Sequence, residues 1–158
     1  MRLHGFHAEH RVNDYLIPLR LINYRSPYFP LMKKSHTAHV FNALVTVVIV
    51  FQIALAFGMP WGELTWGGKF PGVLPMYMRG ACILSAILLM AFALVVSVRA
   101  GLLLSSWQQA SKTFIWVVVV YGALGVIANA VSPSYWERAI WLPVALVLLA
   151  CGLIVAKT

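Results

Sequence analysis

His4, His7 and His10 recur at every third position near the start of the chain, with Glu9 between the last two. Imidazole and carboxylate donors of this kind can gather a divalent metal. Steps of three fit a helix face only approximately, and Gly5 disfavours helix there, so the three histidines stand as weak metal candidates and no cofactor is expected. Glu63 is the second place to look. It is the single acid between the first two apolar runs, with Trp61, Trp66, Lys69 and Arg79 around it. A carboxylate dipping below the lipid headgroups is costly and hence functional by default, with Lys69 or Arg79 as its partner. One that stays at headgroup level is a solvated residue or a helix cap. These five residues form the candidate loop for a ligand or partner.

Several kinds of chemistry lack their residues. No Asp, Glu, Lys, Arg or His falls in the middle of an apolar run, so the proton or ion relay of a secondary transporter is missing. A haem would need an axial histidine inside a span. No Cys-x-x-Cys occurs, which excludes four-helix thiol oxidoreductases. Gly67-Gly68-Lys69 has neither the preceding strand nor the following Ser/Thr of a phosphate loop, and no Ser, His and acid set converges on one membrane face. No catalytic residue is assigned, and a non-catalytic role is favoured over an enzymatic one, which stays open.

The elements that position these residues follow from composition. With 61% hydrophobic and 10% charged residues over 158 positions, the chain lies outside the soluble globular range. It reads as an all-α, polytopic membrane four-helix bundle. Spans are expected at about 38–58, 80–98, 113–131 and 135–156, each near the twenty residues that cross a hydrocarbon core of about 30 Å. Between the first two lies an irregular loop, 58–79. Pro60, Pro71 and Pro75 lack the backbone donor, and Gly62, Gly67, Gly68 and Gly72 favour non-helical backbone. Trp61, Trp66 and Phe70 suit the headgroup layer, so this loop should fold back on the membrane surface.

Within the spans, Asn42, Thr46 and Gln52 are expected to face other helices, and Ser85 allows close approach at one end of the second. Gly122, Gly125 and Asn129 mark the third as a helix packed closely on its neighbours and the candidate centre of the bundle. The stretch between spans two and three, Ala100 to Lys112, should extend the helix and then lie at the interface. Ser134 and Glu137 have capping-box spacing at the start of the fourth. Cys82 and Cys151 fall at opposite ends of the bundle and cannot pair.

Residues 1–37 form an arm before the bundle of 38–158. Val12, Tyr15, Leu16, Leu19 and Ile22 recur at helical spacing, predicting a short interfacial helix limited by Pro18. Residues 26–30 read as an extended aromatic turn. Lys33, Lys34 and the small residues at 54–56 mimic a secretory signal, but the run from Val40 is long enough to stay as an anchor.

Six basic residues lie in the arm, joined on that side by Arg99, Lys112 and Lys157, against Lys69, Arg79 and Arg138 on the other. By the positive-inside bias both termini are cytoplasmic, in a bacterial inner membrane, and the net charge of +8 reflects topology rather than nucleic-acid binding.

The sequence Pro60-Trp-Gly, then Trp66-Gly-Gly, Gly72-Val-Leu-Pro75 and the arginine-framed span ending Val98-Arg-Ala-Gly101 resembles a group of small bacterial four-span integral membrane proteins of uncharacterised function. The likeness covers about residues 38–158. Size, basicity and span count are also similar to the trimeric membrane enzymes that use glutathione, although the glutamate and asparagine expected around Arg99-Ala100 are missing. The leading expectation is a non-catalytic accessory or scaffold subunit, in contact with the lipid bilayer and other membrane subunits. The alternatives are a binding or transport module for a lipid-like or small amphipathic ligand at the 58–79 loop, and a small glutathione-using enzyme.

Overall fold

The computed structural model describes residues 28 to 158, with side chains from Lys34 onward. The histidine triplet and the interfacial helix expected near Val12 to Ile22 lie outside the described residues. Four long helices follow in order: α1 (Tyr28–Ala56), α2 (Met76–Arg99), α3 (Gln108–Ala130) and α4 (Tyr135–Lys157). Each is long and apolar enough to cross a membrane. A helix satisfies its own backbone donors and acceptors, which makes long apolar segments helical in lipid.

Two boundaries differ from expectation. Helix α1 already includes Tyr28, so residues 28–30 of the turn expected at 26–30 are helical. Pro30 falls in the first turn, where a missing N–H forfeits no intrahelical bond. Helix α2 stops at Arg99 instead of running on. Gly101 takes φ +77°, its N–H donates to the Val98 carbonyl at 3.0 Å, and the Leu102 N–H reaches back to Ser97 at 2.9 Å. That pair of bonds is the Schellman stop, which calls for glycine at this position. A short 3-10 turn, Ser105–Trp107, then leads into α3.

The helices form a ring in which α1 packs on α2 and α4, and α3 packs on α4 and α2. Diagonal contacts are few. The most buried helix is α2, whereas α3, expected at the centre, is among the least buried. Burial is concentrated in two clusters. At the end that holds the start of α1 and the end of α4, Phe41, Val45, Phe92, Val96, Ile115 and Val155 pack together. At the opposite end Phe51, Leu55, Leu74 and Cys82 pack with the partly buried Phe70 and Trp141. Both cysteines are buried and free.

Asn42 faces a neighbour as expected, donating from Nδ2 to Ser97 Oγ at 2.8 Å, and Ser97 in turn donates to Ala93 O at 2.8 Å. Thr46 does not. It is exposed and bonds the Asn42 carbonyl of its own helix at 2.7 Å, which lets a hydroxyl face lipid with its donor satisfied.

Candidate functional site

The connection between α1 and α2 is ordered by hydrogen bonds to helices at both of its flanks. It contains two 3-10 turns, Gly62–Leu64 and Trp66–Gly68. The Gly62 N–H donates to Gly72 O at 2.9 Å, folding the loop on itself so closely that a Cβ on Gly62 would overlap the Phe70 carbonyl. Trp66 is held at φ +53°, a left-handed conformation that a bulky residue takes only when its surroundings enforce it. Its side chain reaches Cys82 on α2.

Helix α4 supplies three further fastenings. Trp141 Nε1 donates to Leu64 O at 2.8 Å, Ser134 Oγ donates to Glu63 O at 2.8 Å, and Glu137 Oε2 accepts from the Gly67 N–H at 2.7 Å. Glu137 Oε2 also accepts from Ser132 Oγ. The capping box expected at Ser134 and Glu137 is thus half formed. Ser134 Oγ accepts from the Glu137 N–H at 3.2 Å, while the glutamate side chain turns to the loop instead of back to its own helix end.

The loop residues singled out in the sequence separate. Arg79 does not meet Glu63; its Nε donates to the Ala56 carbonyl at 2.7 Å, placing a cation at the C-terminus of α1, where the helix dipole favours one. Glu63 and Lys69 are exposed, and the Lys69 ammonium lies 5.7 Å from the centre of the Phe70 ring. Trp61 is exposed on one side and parallel to Phe51 on the other, with centroids 6.2 Å apart. No three His, Cys, Asp or Glu side chains of the described residues gather in one place.

A space that can hold a ligand, walled by all four helices, lies beneath the loop. A cavity of about 230 Å³ is bounded by Phe41, Val45, Val48, Phe51 and Gln52 of α1, Ser85, Leu89 and Phe92 of α2, and Thr65 of the loop. Its other walls are Val118, Tyr121, Gly122, Gly125 and Asn129 of α3 with Glu137, Trp141, Val144, Ala145 and Leu148 of α4. It separates the two core clusters.

Small side chains create it. Gly122 packs on Leu149, as a close-packing glycine should, but a Cβ on Gly125 would meet nothing within 4 Å. Asn129 folds back to donate to Gly125 O at 2.7 Å and lines the wall as well. Of the residues marked for helix packing, only Gly122 does that. Gly125 and Asn129 leave room.

The cavity is graded. Gln52, Asn129 and Glu137 belong to the loop end of their helices, with Thr65 in the loop itself and Ser85 in the loop-side half of α2, whereas Phe41, Val45, Val118 and Leu148 belong to the middle of theirs. Aromatic walls stand between. Phe51 and Trp141 are 4.5 Å apart at 49°, and Phe92 meets the Tyr121 ring edge-on at 4.9 Å. Apolar depth with a few convergent polar groups is the usual make-up of a small-molecule site. Sequence reading missed Glu137 and Gln52 because each has an ordinary explanation in its own helix, the first as a cap and the second as a packing residue. Only the meeting of four helices shows that both face one space.

Fold and cavity together define an all-α four-helix bundle of membrane type, with an irregular Pro/Gly/Trp loop between the first two spans. In comparisons with known proteins the chain matches no family model, no curated protein and no solved structure.

Proposed function

We propose that this protein is a membrane-embedded binding module that holds a small apolar or amphipathic molecule inside its helix bundle. The cavity carries the reading: an opening of about 230 Å³, polar at the loop end and apolar below, with open space where a side chain at Gly125 would stand. For scale, a dry cavity of about 150 Å³ accepts benzene. The ligand site thus moves from the exposed face of the 58–79 loop to the space the loop covers. Trp61, Glu63, Lys69 and Arg79 act on this reading as the loop's fabric, not as contacts.

We read the bundle as lying in a bacterial inner membrane with both termini cytoplasmic. The nine-to-three distribution of basic residues supports this. The residue likeness to small four-span bacterial membrane proteins is in keeping with it. Nothing among the described residues favours an accessory-subunit role over binding. The test is to extract the protein gently and weigh it by native mass spectrometry. Retained mass in the wild type that is absent from Gly125→Leu, in which a side chain intrudes into the cavity, supports the proposal. Identical spectra from the two count against it.

A further inference from the structure

The cavity's one carboxylate is only half used. Glu137 Oε2 accepts from Gly67 and Ser132, and Oε1 has no partner among the described residues. Among the described residues no cation at that end of the bundle hydrogen-bonds Glu137. Arg79 bonds Ala56 O, Arg138 donates to Ser132 O at 3.0 Å, and Lys69 lies over Phe70. A carboxylate at the edge of an apolar space favours a positive ligand, since opposite charges attract more strongly as the local dielectric falls.

The walls then decide which positive ligand. A hard metal ion takes six or more oxygens, and one free carboxylate oxygen among aromatic rings does not supply them. Aromatic faces instead attract weakly hydrated cations carried on carbon, the basis of quaternary ammonium recognition. Trp141, one turn below Glu137, and Phe51 against it provide such walls, and Phe92 and Tyr121 continue them deeper into the cavity. Gln52 adds an amide with no hydrogen bond among the described residues.

Building on the binding role argued above, we propose that the cavity takes an organic cation: a protonated amine or quaternary ammonium head placed at Glu137, on an apolar body no larger than one ring or a short chain, lying towards Val118 and Leu148.

A matched pair of probes tests this. Benzyltrimethylammonium and 2,2-dimethylpropylbenzene have the same shape and differ in charge. Each is titrated against the full chain in neutral detergent by saturation-transfer NMR, and binding is taken as the excess over Gly125→Leu in the same micelles, which removes partitioning into detergent. The wild type should bind the cation at least about tenfold more tightly than the hydrocarbon, a preference of the size that desolvated cation–π and charge contacts supply. Glu137→Gln, which keeps an acceptor for Gly67, should bring the two within about threefold, and Glu137→Asp should keep the preference. Equal binding of both probes by the wild type, lost in Gly125→Leu, overturns the cation proposal and leaves the binding cavity standing. A cation preference that survives in Glu137→Gln also overturns it. If neither probe binds the wild type beyond the Gly125→Leu level, the cavity reading fails as well. The wild-type comparison decides the charge preference even if Glu137→Gln does not fold.

Discussion

Glu137, in the first turn of α4, accepts the backbone N–H of Gly67 at 2.7 Å and so fastens the middle of the tryptophan loop to the last helix of the bundle. The same carboxylate lines the cavity beneath that loop. One side chain therefore closes the space and faces into it, and its removal should be felt in both loop order and bundle stability.

Replacing Glu137 by Ala leaves the Gly67 N–H and the Ser132 hydroxyl without their acceptor. A hydrogen bond to a charged group is worth about 1.5–3 kcal/mol, so Glu137→Ala should destabilise the bundle in detergent by at least that amount, read as a lower unfolding midpoint. Glu137→Gln should lose less, because its amide oxygen still accepts. Thermal unfolding followed by circular dichroism ranks the three proteins. Equal stability of Glu137→Ala and the wild type would deny the fastening any weight.

Two glycines in the loop should respond differently to alanine. A Cβ on Gly62 runs into the Phe70 and Gly72 carbonyls, which are backbone and cannot swing away. The Gly72 position has open space, and its strain comes only from φ +81°. Gly72→Ala should cost about 1–2 kcal/mol, the usual penalty for a left-handed residue. Gly62→Ala should cost more, by at least the 1–3 kcal/mol or so typical of overpacking, and should expose Lys69 and Phe70 to protease. The reverse ranking in a thermal scan would contradict the loop geometry.

Trp141→Phe keeps a ring against Phe51 and loses the Nε1 donor to Leu64 O. The expected loss is about 0.5–1.5 kcal/mol, the net value of one neutral hydrogen bond. Trp141→Leu removes the ring contact as well and should lose a further 0.5–1.5 kcal/mol or so. Unfolding midpoints of the pair separate the polar from the aromatic share.

Asn42 and Ser97 join α1 to α2 towards the end opposite the loop. In membrane bundles such bonds couple by about 0.6 kcal/mol and rarely beyond about 1.7 kcal/mol, so a double-mutant cycle through Asn42→Ala and Ser97→Ala should return a value in that interval. Asn42 also carries a buried Oδ1 with no partner. Asn42→Ala removes that desolvated acceptor with the bond, which makes it the milder of the two single changes.

Orientation is checked with single cysteines in a background where Cys82 and Cys151 are replaced by Ala. Lys69→Cys and Lys112→Cys occupy exposed positions at opposite ends of the bundle. An impermeant maleimide added to intact cells should label Lys69→Cys fully, and Lys112→Cys only after the membrane is broken. Labelling of both from one side would undo the four-span topology.

Helix count, apolar length and the loop between the first two spans were legible in the sequence because each depends on local composition. Twenty apolar residues must satisfy their own backbone in lipid, and a run of prolines and glycines cannot. The Ser134 cap was legible for the same reason, being complete within one helical turn. The α2 stop at Gly101 is also local, its signal being a glycine two residues past Arg99.

What local composition could not decide was where side chains meet after the helices pack. Gly122 and Gly125 are alike in sequence, yet one touches Leu149 and the other faces empty space, since the difference depends on how α3 sits against α4. Arg79 was free to choose between Glu63 and the end of α1, and the packing of α2 beside α1 put the Ala56 carbonyl within its reach. The sequence by itself thus determined four lipid-soluble helices, their charge asymmetry and a shaped cap. The tertiary structure alone decided that the cap is pinned by Glu137 and that a cavity lies beneath it, because voids and carboxylate partners arise from residues far apart in the chain.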